Sequence, residues 1–331
     1  MRKQPWTQVL RVIAGAMLAG GLFLVATDTL AQQDYPSRRI RFIGTSQSGP
    51  GPDLVARVVA SALTESLGWP TLVESMPGGN FIVGTQYVAR AAPDGYTVAV
   101  AVSSLTVLPF SQKNPPFDLL KDFVPVIRIG TIQSVLFANN SLPANSLAEL
   151  IAYSKANPGK LSYGVAGTGT FGHLTVELLK ISTGLDIQQI PYKSAASIIP
   201  DVVGGRLQLG FNILAPTADL VRAGKMKAIA VTGTERSSML PQVPTIVQSG
   251  VPDFDGDGWI GLMVPKGTPQ TIVDKLHKEV SAVLRLEHVK ETLLKQGVTT
   301  VDETPAQFRY RIEADIARWA KVTRTTKIKF E

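Results

Sequence analysis

The sequence predicts an α/β protein built from two α/β units, joined by crossover strands and separated by a cleft. Three observations predict it. Short apolar runs alternate with amphipathic stretches at helical spacing along nearly the whole chain, the βα pattern of a mostly parallel sheet. With 331 residues the chain is too long for one small core and suits two domains of roughly 100 to 200 residues after a leader is removed. One set of strands and helices is also inserted inside another, because Trp259 to Val264 reads as a strand returning to the first set.

Arg2, Lys3 and Arg11 form a positive n-region, Val12 to Ala26 an almost unbroken apolar run, and Thr29-Leu30-Ala31 a cleavage site. Residues 1–31 are therefore expected to be a secretory signal peptide cleaved before Gln32, which exports the mature chain. The apolar run is shorter than the roughly 20 residues a membrane span needs. Cysteine is absent, which excludes disulfides, thiolate metal sites, a cysteine nucleophile and lipid attachment at the cleavage point. The net charge of +7 is modest and its basic residues are dispersed, apart from Lys321 to Lys329, which reads as a solvated tail. Nucleic acid is not an expected partner.

In chain order, Ile40 to Ile43 is the first predicted strand and Thr45 to Pro52 a loop. Asp53 reads as the N-cap of a helix to Leu67, with Leu54, Val55, Val58, Val59, Ala62 and Leu63 on its apolar face and Gly68 ending it. Thr71 to Glu74 is the next strand, and Pro77-Gly78-Gly79-Asn80 turns into a helix running to about Ala92. Tyr96 to Val102 is almost wholly apolar, as expected of a strand covered on both faces. Pro125 to Ile129 and Val135 to Ala138 are strands flanking the first crossover, and Ser146-Leu147-Ala148-Glu149 is a capping box for a helix ending before Pro158. Further strands are expected at Leu161 to Val165, Ile187 to Ile190, Leu207 to Phe211 and Lys227 to Val231, with helices at His173 to Lys180, Ser197 to Val203 and Thr217 to Ala223. Helices at Pro269 to Leu284, Glu287 to Gln296 and Pro305 to Lys321 close the chain. These readings give a first domain of residues 32–131 and 257–331 and a second of residues 132–256.

The stretch that carries most chemistry is Leu161 to Glu177, where a strand stops at Gly167-Thr168-Gly169-Thr170-Phe171-Gly172 and a helix begins. Glycine lets the backbone approach a ligand, and the free N–H groups and dipole of a helix start favour a carboxylate or phosphate. The run also spells G-x-G-x-x-G, but the acidic residue wanted about 20 residues on falls early, at Asp186. His173 at the helix start is expected to orient or hydrogen-bond rather than to catalyse, since no G-x-S-x-G elbow accompanies it. His277 and His288 lie among charged residues and are expected to be solvated, and the three histidines have no metal-ligand spacing. Asp255 and Asp257 flank Gly256 in a predicted turn, without the glutamate of a calcium loop. Neither metal nor cofactor is expected.

Two α/β units joined by crossovers in an exported, cysteine-free chain describe a solute-binding receptor that closes like a hinge. Specific strings then point to a family. Tyr35-Pro36-Ser37, a Gly-rich loop ending in Asp53, Ala91-Ala92-Pro93-Asp94-Gly95-Tyr96-Thr97, Ala156-Asn157-Pro158-Gly159-Lys160-Leu161, Gly167-Thr168-Gly169-Thr170 with His173, Ile190-Pro191-Tyr192-Lys193, Val243-Pro244-Thr245 and Pro265-Lys266-Gly267-Thr268-Pro269 occur in order. Together they resemble the substrate-binding receptors of tripartite tricarboxylate transporters, the Bug family, over essentially the whole mature chain.

The resemblance implies a type II periplasmic-binding fold, a small carboxylate as ligand, inner-membrane permease subunits as partners, a monomer, and no reaction on the ligand. Carried over by position, the first-domain contacts fall in Thr45 to Gly51, with Thr45, Ser46, Gln47 and Gly49 foremost, and at Ser103 and Ser104. The second-domain contacts are Thr168, Gly169 and Thr170, with His173 and Asn212 nearby. The chain departs from the family pattern in its first loop, where Ser46-Gln47-Ser48 and Pro50 and Pro52 reduce the backbone donors. It departs again at Asn212, where many members have aspartate. A neutral amide cannot pair with a ligand ammonium, which favours a plain or hydroxylated acid, including di- or tricarboxylates and aromatic acids, over an amino acid. Two other functions share these residues: a ligand-sensing co-receptor for a membrane sensor kinase, and a dinucleotide-dependent enzyme using residues 167–172.

Overall fold

The computed structural model describes residues 35–45, 51–326 and 328. The signal peptide expected at 1–31, and Ser46, Gln47 and Gly49, lie outside the described residues. Tyr35–Arg39 is a bend with a cis Tyr35–Pro36 peptide bond.

From Ile40 onward the chain builds two sheets. The first contains β1 (Ile40–Gly44), β2 (Thr71–Ser75), β3 (Thr97–Val102), β4 (Phe123–Ile132), β10 (Gly258–Pro265) and β11 (Val298–Thr300), in the order β11-β4-β10-β3-β1-β2. The second contains β5 (Ser134–Ala138), β6 (Ser162–Val165), β7 (Gln188–Pro191), β8 (Leu209–Ile213) and β9 (Lys227–Val231), in the order β7-β6-β8-β5-β9. Strands β1, β2 and β3 are mutually parallel, as are β6, β7 and β8, while β10 runs antiparallel to both its neighbours and β5 to both of its own. The expected insertion is visible in this order. The chain leaves the first sheet at Ile132, makes the whole of the second, and returns at Gly258.

Local chemistry accounts for the elements. All six residues of β3, TVAVAV, are buried, as a strand covered on both faces requires, and each buried valine contributes about 1.5–3 kcal/mol. Helix α1 (Pro52–Leu67) starts with proline in its first turn and ends at Gly68 in the left-handed region. Asp53 is not its N-cap: Gly51 holds that position, and Asp53 is fully buried in the first turn, accepting from Ser75 Oγ at 2.5 Å and from Arg57 at 3.3 Å. The tight entry Gly51-Pro52 moves the cap two positions earlier than the Asp signal suggests. Helix α2 (Ile82–Ala89) follows the Gly78-Gly79 turn, and a 3-10 segment (Ser103–Val107) continues into the short α3 (Leu108–Ser111). Helix α4 (Leu147–Ala156) is capped by Ser146 Oγ, which accepts from Glu149 N–H at 3.2 Å. The Glu149 carboxylate reaches the N–H of Asn145 at 2.7 Å, one residue before the cap.

Helix α5 (Phe171–Thr183) follows the glycine-rich turn, and α6 (Ile198–Val203) and α7 (Ala215–Arg222) complete the second sheet's layers. Its core gathers Leu136, Tyr163, Val176, Leu179, Leu209 and Phe211. Helices α8 (Gln270–Leu284), α9 (Glu287–Lys295) and α10 (Pro305–Thr326) cover the first sheet, where Phe308 packs edge-on against Trp259 with ring centroids 4.9 Å apart. His277, expected to be solvated, is half-buried with Nε2 2.9 Å from the Glu303 carbonyl, because the segment after β11 lies over α8. That three-residue strand has no sequence signal of its own. One further helix contact matters for the site: α10 reaches past its own sheet to α5, through a cluster of Val107, Phe171, Leu174, Trp319 and Val322.

Candidate functional site

In open α/β sheets ligands sit beyond the carboxyl ends of the strands. Those ends are Thr45 after β1, Ser103 after β3, Ala166 after β6 and Ile213 at the close of β8. A cavity of about 200 Å³ lies there, lined by Gly79, Asn80 and Ile82 from the turn into α2, by Ser104, Leu105, Leu108, Ser111 and Gln112 from the 3-10 segment and α3, and by Gly169 from the turn into α5. Of the residues expected to bind ligand, the described structure brings Ser104 and Gly169 together on its wall.

The others are placed as follows. Thr45 is buried and its hydroxyl donates to Val100 O at 3.2 Å, bracing β1 on β3. Ser103 is buried, and its carbonyl accepts from Thr106 Oγ1 at 2.6 Å. Thr168 is exposed and accepts from Gln189 Nε2 at 3.1 Å. Thr170 is the N-cap of α5: its hydroxyl accepts from His173 N–H at 3.4 Å and donates to Gly167 O at 3.0 Å. Asn212 is half-buried, two positions along β8 from the residue paired with Gly164, and its side-chain oxygen accepts from the N–H of Ile213 at 2.8 Å. The side chains of Thr170, His173 and Asn212 shape the strand ends rather than the cavity wall.

The turn itself is built around one contact. Gly169 takes φ +74°, which a side chain would strain, and its N–H donates to His173 Nδ1 at 2.9 Å. The imidazole is 3 % exposed, and burial pushes its pKa below the ordinary histidine value, with Lys180 adding to the effect and Glu177 opposing it. A neutral ring with Nδ1 as acceptor carries its proton on Nε2. Glu177 lies 3.9 Å from that nitrogen and accepts from Lys180 Nζ at 2.7 Å and Tyr163 OH at 3.4 Å. Burial and the Glu177 charge push the Tyr163 hydroxyl far up, so it stays protonated. Among the described residues no protein acceptor meets the N–H groups of Thr168, Thr170, Phe171 and Gly172. These donors and the dipole of a 13-residue helix create a field that favours an anion.

The two walls are tied from behind. Phe171, the first residue of α5, packs edge-on against Trp319 with centroids 5.2 Å apart, and Trp319 Nε1 donates to Thr106 Oγ1 at 3.0 Å. Thr106 in turn bonds Ser103. One buried indole thus fixes the start of α5 relative to the 3-10 segment.

The sequence reading gave the turn after Pro77 without placing it on the cavity wall, and of the 3-10 wall it named Ser103 and Ser104 alone. Gly78, Gly79, Asn80 and Phe81 have φ of +134°, +56°, +53° and +74°, a backbone held open by four successive positive angles. Pro77-Gly78-Gly79-Asn80 before a helix has the same grammar as the run at Gly167, and that signal points to this wall. None of the described lining residues has a titratable side chain, so an anion meeting them would be held by backbone N–H groups, hydroxyls and amides.

Comparison with known proteins agrees with this architecture. The family described as tripartite tricarboxylate transporter family receptor matches residues 55–328. Protein BugT of Bordetella pertussis is 34% identical over 328 residues, which cover 98% of this chain and 99% of that protein. Among solved structures, R. palustris Rpa4515 with adipate superposes with a TM-score of 0.76 at 33% identity, covering 89% of this chain and 99% of that one. MatC from Rhodopseudomonas palustris with bound malate gives 0.70 at 27% identity, covering 87% and 99%. The α/β fold is that of periplasmic solute-binding proteins, and by its match over most of its length the chain belongs to the family of tripartite tricarboxylate transporter receptors that includes the Bug proteins.

Proposed function

We propose that this chain is a periplasmic receptor that captures a small carboxylate between two lobes, residues 32–131 with 257–331 and residues 132–256, and delivers it unchanged, as a monomer, to inner-membrane permease subunits. The observation that carries the reading is the cavity wall at Gly169, beside unpartnered N–H groups at the start of α5 and with no titratable side chain on the lining. A carboxylate there gains charge-assisted hydrogen bonds without a buried counter-ion. Relatives solved with adipate and with malate support a carboxylate as the ligand class. The absence of acid–base groups on the lining favours binding over chemistry.

A thermal-shift screen of the mature chain against mono-, di- and tricarboxylates, aromatic acids, amino acids and nicotinamide cofactors tests this. A carboxylate at about 100 times its Kd is expected to stabilise by roughly 2.7 kcal/mol. A shift with a nicotinamide cofactor alone would overturn the reading.

A further inference from the structure

We propose that His173 is a positioning residue that holds Gly169 in the cavity wall only while its ring is neutral, so that acid loosens the wall and releases the ligand. The inference rests on the carboxylate-receptor reading for its consequence, and on one hydrogen bond for its cause.

That bond runs from Gly169 N–H to His173 Nδ1 at 2.9 Å, so Nδ1 must present a lone pair. A protonated imidazole has hydrogens on both nitrogens, and two donors would then face each other at the same place. The ring cannot turn to water to relieve this, because it is buried at 3 % exposure under the first turn of α5. Among the described residues Gly169 is the one part of the cavity lining that the second sheet's unit contributes, and as a glycine at φ +74° it has no side chain to anchor it once the bond is lost. The helix start moves with it, since the same histidine's N–H is capped by Thr170.

The groups facing the ring do not rescue its charged form. On its own helix, Glu177 stands 3.9 Å from Nε2 but is already engaged by Lys180 Nζ at 2.7 Å, and Lys180 disfavours a second cation. From β6, the Tyr163 hydroxyl also points at Glu177. The 3-10 segment and α10 present Val107, Trp319 and Val322 to α5, none of which titrates, and Arg318 beside Trp319 pairs with Asp255 and Asp315. Burial therefore sets the ring's behaviour, keeping it neutral at and above neutral pH and charging it only below the ordinary histidine range.

The test needs no known ligand for its first arm. In ¹⁵N-labelled mature protein without ligand, the Gly169 amide resonance is followed from pH 8 downward, through the full titration of the His173 ring nitrogens. The amide is expected to titrate with the midpoint of the ring. In His173→Asn the side-chain oxygen stands where Nδ1 stood and does not titrate, so the amide should lose its pH dependence; His173→Gln serves if the first variant does not fold. In the second arm, adipate and malate are titrated calorimetrically at pH 7.5 and at a pH below the ring midpoint found in the first arm. The ratio of the two affinities is expected to reach about tenfold per pH unit below the ring's pKa in the wild type, and to fall towards one in the variant whatever its absolute affinity. A Gly169 amide indifferent to the ring's titration would overturn the proposal, as would an unchanged affinity ratio in the variant. If neither acid binds, the carboxylate reading fails for these probes, while the amide titration still decides the role of His173.

Discussion

Gly44 and Asp53 show how little room the first strand's end has. A β-carbon on Gly44 would lie 1.8 Å from Asp53 Oδ1, an oxygen that meets no hydrogen-bond partner among the described residues, while its twin is held by Ser75 and Arg57. Gly44→Ala must therefore push a fully buried carboxylate out of its hydrogen bonds. We expect a loss of about 2–4 kcal/mol in urea unfolding, from overpacking together with unmade hydrogen bonds. A loss under about 0.5 kcal/mol would mean that the carboxylate has another place to go. The sequence shows an Asp at a helix start and reads it as a cap, because the periodic pattern carries no trace of Ser75, which lies 22 residues away. His173 is a similar case. Its position at a helix start after a glycine turn is legible, but the atom it accepts from depends on the turn's path in three dimensions.

At the scale of elements, most strands and helices were legible within a few residues, because buried strands such as Thr97–Val102 and amphipathic helices such as α8 announce themselves by period. What escaped were the short pieces set by tertiary contact: β11, the 3-10 segment and α3. The segment Ser103–Val107 owes its place to α10, 213 residues further on between Thr106 and Trp319. That contact is testable as a pair. Thr106→Val and Trp319→Phe should each cost about 1–2 kcal/mol, since each leaves or removes a buried donor. The double variant should cost clearly less than the sum, with a coupling of about 0.5–2 kcal/mol in denaturant unfolding. Strict additivity would show that the indole N–H and the threonine hydroxyl act separately. The legible part of the site was likewise the glycine turn at 167–172, where glycines cluster, and the less legible part was Phe81, whose positive φ its residue type does not advertise.

Across the whole molecule, the two connections between the sheets meet at one polar knot. Thr232 Oγ1 donates to Asp257 Oδ1 at 2.5 Å and accepts from Ser134 N–H at 2.9 Å, so it joins the end of β9 to the start of both β5 and β10. Burial raises the Asp257 pKa to about 6, although Thr232 and Arg311 favour its charged form. The folded state thus holds a proton that the unfolded chain releases near pH 4, and the stability this confers is lost as pH rises from about 4 through about 6. Asp257→Asn keeps an acceptor for Thr232 and removes the desolvated charge. Its melting temperature should exceed the wild type's above pH 6 by an amount corresponding to about 1–3 kcal/mol, and the gap should close towards pH 4. A gap independent of pH would show that Asp257 does not titrate in this range. The paired strands β4 and β10 carry a last consequence. Ile132 and Gly258, where the chain departs and comes back, are direct partners in an antiparallel ladder. A hairpin of two to four residues, Asn-Gly at its tip, is therefore enough to bridge them. Excising the intervening segment should yield a miniature protein whose six-stranded sheet is unbroken, provided that the face of α10 that packs on Phe171 and Leu174 is made polar.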